Sequence, residues 1–415
     1  MSVATSADAR DIRIIRDLAK RYAEIAARPI QDERRDLWRR HNSLERTRPL
    51  IYLRWFAAWH EHPQSNLRCQ DPFWQAHERF LRMHIVQDWT GDDYIVEPWI
   101  TQRASVRMPE HGPWGVPYNR IPSPDPGGAW MYDPPLKRLE DIEKLAEPHH
   151  VIDEEQTRIN VERLQDAVGD ILTVNLDRSP AYTVWHADLS TDLAYLRGLE
   201  QVMWDMSDNP QWLHRLLAHM RDGVLRVHEE AEEAGDWSLS AHQNQAEPYA
   251  LELDDPAANS GPVMREDLWT FCAAQEFAQI SPAMHDEFMF QYQMPILEHF
   301  GLVAYGCCED LTDKIDMLRQ LPNLRRIAVV PRADVARSAE QIRDDYVFSW
   351  RPNPTDMMCC GFNEDLIRRV IREGMEASRG CHVDITLKDV QTIEHEPERL
   401  RRWVEIVRDV TEDFA

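Results

Sequence analysis

The 415-residue sequence is 43% hydrophobic and 29% charged, a balance that excludes a disordered chain and implies a sizeable core. Its formal net charge is −25, from 72 acidic against 47 basic residues. Nucleic acid is therefore not an expected partner, because phosphate binding needs a basic face. No stretch reaches the length of a membrane span, and the opening MSVATSADARDIRIIRDLAK lacks the apolar core of a signal peptide, so a cytoplasmic protein without a membrane partner is expected.

Ile14, Ile15, Leu18, Tyr22 and Ile25 recur at helical spacing, so residues 10–26 read as an amphipathic helix within a helical extension over 1–48. The apolar run PLIYLR at 49–54 is the first expected strand. A long helical stretch follows, in which a spacing of four sets His84 and Asp88 on one face. The second strand is YIVEP at 94–98. Residues 99–150 carry HGPWGVP, PSPDPGG and YDPPLKRLED, where Pro and Gly interrupt regular structure. An insertion of that length serves as a lid or wall, or packs on the domain.

The pattern then becomes regular, with a strand at 171–176 and a helix at 192–207. Asp208-Asn209-Pro210 opens another helix that closes at Gly235. Strands follow at 237–242, 300–306, 326–331, 346–350 and 382–388, with helices at 284–299 and 363–377 and a last helix opened by Pro397. Eight strands mostly alternating with helices argue for an α/β fold, a single (β/α)8 TIM barrel spanning 1–415 with its long insertion after the second strand.

Seven cysteines make an odd count with two vicinal pairs, Cys307-Cys308 and Cys359-Cys360, which is not a disulfide framework. In a reducing compartment such thiols are core fillers or metal ligands. The fifth strand ends in Cys307-Cys308-Glu309-Asp310, two thiols and two carboxylates at the lip where barrel enzymes keep their chemistry. Cys307 is the first metal-ligand candidate. Cys308 and Glu309 come second, because adjacent side chains at a strand end point in opposite directions.

Arg54, Glu97, Asn175, His242, Cys307, Arg351 and Asp389 each fall at or near the C-terminal end of a different expected strand, so a barrel would gather them at one mouth. His242 opens the polar cluster His242-Gln243-Asn244-Gln245 just after an apolar segment. Glu276, a carboxylate in an apolar run, is either an arginine's partner or a metal or base residue. Lys388 and Asp389 would orient a substrate carboxylate, complete a metal shell, or form a rim ion pair. Trp185, with Trp55, Trp59, Trp99, Trp114 and Trp350, would pack in the core or line a pocket for a methoxylated aromatic or a quaternary amine.

The order and spacing of several segments resemble the uroporphyrinogen decarboxylase superfamily, which also contains zinc-dependent methyltransferases serving corrinoid proteins and thiols. The segments are Arg48-Pro49-Leu50-Ile51-Tyr52-Leu53-Arg54, Leu196-Arg197-Gly198-Leu199-Glu200 with Asp208-Asn209-Pro210, and Ile280-Ser281-Pro282-Ala283-Met284-His285-Asp286-Glu287-Phe288. The Cys307 strand, Arg351-Pro352-Asn353-Pro354 and Glu396-Pro397-Glu398 continue the match. The decarboxylase branch carries a glycine-bearing arginine loop after its first strand, where this chain has Trp55-Phe56-Ala57-Ala58-Trp59-His60. The methyltransferase branch carries His-x-Cys at the fifth strand, and Tyr305-Gly306-Cys307 stands there, which makes Tyr305 a substrate-side candidate. A second thiolate would follow the eighth strand, where Leu387-Lys388-Asp389-Val390 stands instead. Cys381 precedes that strand and would lie at the barrel's other end, but strand ends read from sequence shift by a few residues, so it stays in the ligand set.

The resemblance implies an enzyme that moves a methyl group between a small methylated substrate, a corrinoid (cobalamin) on a partner protein, and a thiol or folate acceptor, with Zn2+ assisting. The alternatives are a metal-independent decarboxylase or lyase of a small aromatic or pyrrolic acid, working through Arg54, Lys388 and carboxylates, and a non-catalytic binding barrel. A homodimer is compatible with each.

Overall fold

The computed structural model describes residues 6–125, 128–129, 131–180 and 185–414. Pro126 and Gly127 of the PSPDPGG motif lie outside the described residues. Its strands are β1 (Leu50–Leu53), β2 (Trp99–Arg103), β3 (Asn119–Ile121), β4 (Met131–Asp133), β5 (Thr173–Asp177), β6 (Trp269–Cys272), β7 (Leu302–Tyr305), β8 (Leu324–Val329), β9 (Val347–Trp350) and β10 (His382–Leu387). Six of them form one parallel, curled sheet in the order β1-β10-β9-β8-β7-β6. Separately, β2 pairs with β5 in parallel, and β3 with β4 as a small antiparallel ribbon. The fold is mixed α/β, with helices covering the curled sheet.

Side chains alternate across a strand, and the register shows which face each takes. Ile51, Leu53, Phe348, Trp350, Ile385 and Leu387 belong to the main buried cluster, together with Trp403 and Val407 of the C-terminal helix Glu398–Thr411. The opposite face carries the intervening residues. There Tyr52 sits opposite Thr386, and Ser349 opposite Asp384. Arg326 and Asp384 form a fully buried ion pair of 2.7 Å on this face, and the hydroxyls of Ser349 and Thr386 donate to the same carboxylate at 3.0 and 2.8 Å. Two residues further along, past the strand ends, the same alternation delivers Arg54, Arg351 and Lys388. The strands are parallel, so all three emerge at one edge.

The structure departs from expectation at four places. The run 237–242 is not a strand: Ser238 and Ser240 bond each other at 2.9 Å, and Leu239–Ala241 close a short 3-10 turn. Serine hydroxyls competing for local partners account for that break. A strand does form at Trp269–Cys272, a four-residue buried run too short for periodicity to distinguish from helix. The second strand begins at Trp99 rather than Tyr94, because residues 94–98 are held irregularly, with Arg34 donating to the Tyr94 carbonyl and Val96 N–H to Gln31. The helix expected over 192–207 is also two, Ser190–Arg197 and Leu199–Asp208, broken at Gly198 with φ +84°. Among the described residues, no helix is long and apolar enough to cross a membrane.

Candidate active site

Gly306 decides how the chain leaves β7. Its φ of +104° lies where a side chain is strained, and a Cβ there would come 2.6 Å from Leu311 Cδ1 and 3.0 Å from Ala328 Cβ. Beyond it the chain wraps around the buried Glu309 carboxylate. The N–H groups of Cys307 and Cys308 donate to Glu309 Oε2 at 2.8 and 2.9 Å, and Ala274 N–H donates to Oε1 at 2.8 Å. Glu309 therefore ties the loops after β6 and β7 together, and its oxygens face the backbone rather than a metal position. This turn also overrides strand alternation: the Cys307 and Cys308 sulfurs lie 3.6 Å apart.

Lys388, emerging from β10, reaches across to both thiols. Its Nζ is 3.0 Å from Cys307 Sγ, 3.3 Å from Cys308 Sγ, 3.3 Å from the Cys307 carbonyl and 3.2 Å from Asp389 Oδ2. The Arg351 guanidinium, buried at the end of β9, donates to the same Cys307 carbonyl. Gln245 Nε2 donates to Cys307 Sγ at 3.6 Å. Cys308 lies 3.8 Å from Asp389 Oδ2, and Asp389 itself adopts φ +58°.

These neighbours set the sulfur's charge. A hydrogen bond from the Cys308 thiol, opposed by burial and reinforced by Lys388 and Arg351, lowers the Cys307 thiol to about 4. Cys308 moves the other way, chiefly because it shares its proton with Cys307 and because it is partly buried. The pair is thus one thiolate and one thiol. A thiolate held by cations in a partly open setting is a nucleophile.

A cavity of about 130 Å³ opens beside the sulfurs, lined among others by Cys307, Cys308, Arg332, Arg351, Lys388 and Asp389. At roughly 30 Å³ per water it holds a few waters or a small molecule. Arg351 Nε is buried there without a hydrogen-bond partner. Burial, and the nearby charge of Arg54, push this guanidinium's proton affinity down. Arg332 lines the same cavity, and Arg54 lies near enough to Arg351 for its charge to be felt there. The rim is thus cationic on a chain of net charge −25.

Of the seven residues expected at one mouth, the structure brings Cys307, Arg351 and Asp389 to the cavity with Arg54 near Arg351, and Cys308 and Lys388 join them there. Trp185 is half-buried against Phe271, ring centroids 4.9 Å apart, in the apolar cluster that includes Cys307. Glu276 follows β6 but accepts hydrogen bonds from Ser190 and Thr191 at 2.6 and 3.2 Å. It does not line the cavity. Glu97 pairs with Arg35 at 2.9 Å and accepts from the Tyr249 hydroxyl, and Asn175 bridges Thr101 and Asn259. Tyr305 turns its hydroxyl to Gln293 at 2.7 Å, on the helix side of the sheet. His242 accepts from Trp269 N–H at 3.0 Å, and burial lowers its pKa to about 4, so it is a neutral structural ring. The polar cluster it opens does supply the site, through Gln245. Arg332 and Gln245 carry no motif of their own; only their positions, one on a strand end and one in that polar run, signal them.

Cys381 precedes β10 and lies at the other edge of the sheet, 3.7 Å from the Ala339 carbonyl. Burial pushes its thiol up to about 11. With Cys381 remote, Glu309 committed to backbone and an ammonium beside both sulfurs, the expected zinc set does not assemble. Among the described residues, no group of three His, Cys, Asp or Glu side chains is arranged to hold a metal. Comparison with protein-family models and with curated proteins returns no match.

Proposed function

We propose that this chain is a (β/α)8-type methyltransferase of the uroporphyrinogen-decarboxylase-like kind, in which the Cys307 thiolate is the nucleophile toward a small methylated acid. The observation that supports it is the 3.0 Å contact between Lys388 Nζ and Cys307 Sγ at the C-terminal edge of the sheet. An ammonium does here what a zinc ion does for a bound thiol: it favours the deprotonated form.

In this reading the rim cations Arg54, Arg332 and Arg351 receive the acid, and its methyl group faces the sulfur. The S–C bond forms as the methyl–heteroatom bond breaks, and the electron pair leaves with the heteroatom, which takes a proton from the Lys388 ammonium. An acceptor thiol then removes the methyl as its proton passes to Lys388, which restores the ammonium, and the Cys307 thiolate returns to the same hydrogen bonds. The cavity of about 130 Å³ is far too small for a corrinoid macrocycle, so a corrinoid on a partner protein would meet the sulfur from outside.

Anaerobic incubation with methoxylated aromatic acids and methylated amino acids, followed by peptide mass spectrometry, tests this directly. A methyl adduct on the Cys307 peptide is expected, absent after Cys307→Ser. No adduct with any methylated acid, in protein whose Cys307 is alkylated normally, would overturn the reading.

The buried, unpartnered Arg351 Nε favours a second reading, a metal-independent carboxy-lyase in which the cations bind the acid and the thiolate is incidental. Carbon dioxide release that survives Cys307→Ser and fails with Arg351→Gln would select it.

A further inference from the structure

The two sulfurs have a property that the proposed methyl transfer does not use. They sit 3.6 Å apart at the wall of one cavity, one buried and one exposed, so a single small atom can bond to both. Soft thiolate pairs take soft centres. The neighbouring charge then selects among them. Lys388 Nζ lies within 3.3 Å of each sulfur and Arg351 is close behind, so a dication entering between the thiols meets two fixed positive charges. A neutral electrophile meets no such repulsion. It needs only two ligands, and two are present.

We propose that Cys307 and Cys308 form a bidentate site for neutral trivalent arsenicals, monosubstituted arsenic(III) hydroxides in particular. Two As–S bonds form and two As–O bonds break. One hydroxide leaves as water with the Cys308 thiol proton, and the other leaves as water with a proton that Lys388 relays from solvent. Arsenic stays trivalent and sulfur stays at the thiol level, so no oxidant or reductant is consumed. Asp389, 3.8 Å from Cys308 Sγ and 3.2 Å from Lys388, keeps the ammonium in place while the thiol turns toward the arsenic.

The chain contains its own control. Cys359 and Cys360 are also adjacent in sequence, yet Cys359 Sγ faces the Thr392 carbonyl at 3.9 Å, while Cys360 is exposed with φ +57°. Adjacency in sequence therefore does not make such a site; converged sulfurs beside an ammonium do.

The test uses phenylarsine oxide on the full-length protein, with intact mass spectrometry and washing in excess glutathione, a monothiol. One adduct per chain is expected, resistant to glutathione and released by a 1,2-dithiol. It should persist in Cys359→Ser/Cys360→Ser and be lost in both Cys307→Ser and Cys308→Ser, each checked for folding by circular dichroism. Excess Zn2+ should not protect. The Cys308→Ser protein should still be alkylated at Cys307 by iodoacetamide, which separates failure of this site from failure of the nucleophile itself. A glutathione-resistant adduct that survives Cys308→Ser, or full protection by Zn2+, would overturn the proposal.

Discussion

Lys388 Nζ stands 3.0 Å from Cys307 Sγ and 3.3 Å from the same residue's carbonyl oxygen, so one ammonium holds both the sulfur and the loop that carries it. The arrangement links charge to geometry. Neutralising Lys388 should change the thiol's titration and the position of its loop together.

The Cys307 thiol, lowered to about 4, should be alkylated at a rate that rises through that pH and is flat above it. Lys388→Gln should move the midpoint upward, toward the ordinary value near 9. A group whose folded pKa is depressed stabilises fully above its unfolded pKa and loses that contribution as pH falls toward the folded one. The wild-type advantage over Lys388→Gln should therefore shrink between pH 9 and pH 4. Iodoacetamide kinetics with peptide mapping, and thermal unfolding across that range, measure both. An unchanged midpoint in the variant would show that Lys388 does not set the thiolate.

Gly306→Ala should destabilise the fold by about 2–3 kcal/mol, since the substituted residue keeps a strained φ and pushes its methyl into Leu311 and Ala328. Cys307 alkylation should slow in the same variant, because the turn that faces the sulfur toward Lys388 begins at this glycine. Denaturant unfolding reads the first effect and labelling kinetics the second. A variant as stable as the parent would mean the backbone relaxes at no cost.

Much of this site was legible because strand-end position is a sequence property once strands are found. The apolar run ending in Cys307-Cys308, and the placement of Arg54, Arg351, Lys388 and Asp389 at strand ends, carried over into the structure. What failed depended on information outside the local pattern. The β6 run Trp269–Cys272 has no period to read, and Ser238 and Ser240 diverted an apolar segment into a turn. Glu309 looked like a ligand because a buried carboxylate bonded to backbone N–H groups has the same sequence signature as one bonded to a metal. Tyr305 sits on the opposite face from its assigned role, a one-residue difference in alternation that no composition rule shows. The contact between Lys388 and the two thiols spans 80 residues or more, and nothing local announces it.

The Arg326–Asp384 pair shows the cost of the polar inner face. Both side chains are essentially inaccessible at 2.7 Å separation; Ser349 and Thr386 both donate to Oδ1, which leaves Oδ2 to the Arg326 charge. Asp384→Ala leaves the guanidinium buried without its countercharge, so a loss of about 3–5 kcal/mol is expected. Chemical denaturation should show it as a lower midpoint with an unchanged slope. A loss under about 1 kcal/mol would mean that water or His41 takes over the carboxylate's place.

Asp188 supplies a pH effect of opposite sign. It is buried beside the helix Ser190–Arg197, and its Oδ1 accepts the Thr191 N–H at 3.1 Å. Burial first, then the nearby charges of Asp192 and Glu276, raise its pKa to about 7. An acid whose folded pKa exceeds its unfolded value near 3.8 stabilises the fold when protonated, and that contribution is lost as pH rises through about 7. Asp188→Asn keeps the acceptor oxygen and cannot ionise. The variant should therefore gain on the parent as pH rises from 5 to 8, with its melting temperature falling less over that interval. Asp192, raised to about 6 mainly by burial, remains in the variant, so part of the slope persists. Thermal unfolding of both proteins at the two pH values decides the matter: equal slopes would place the Asp188 carboxylate in contact with solvent and remove its part in the acid-stabilised fold.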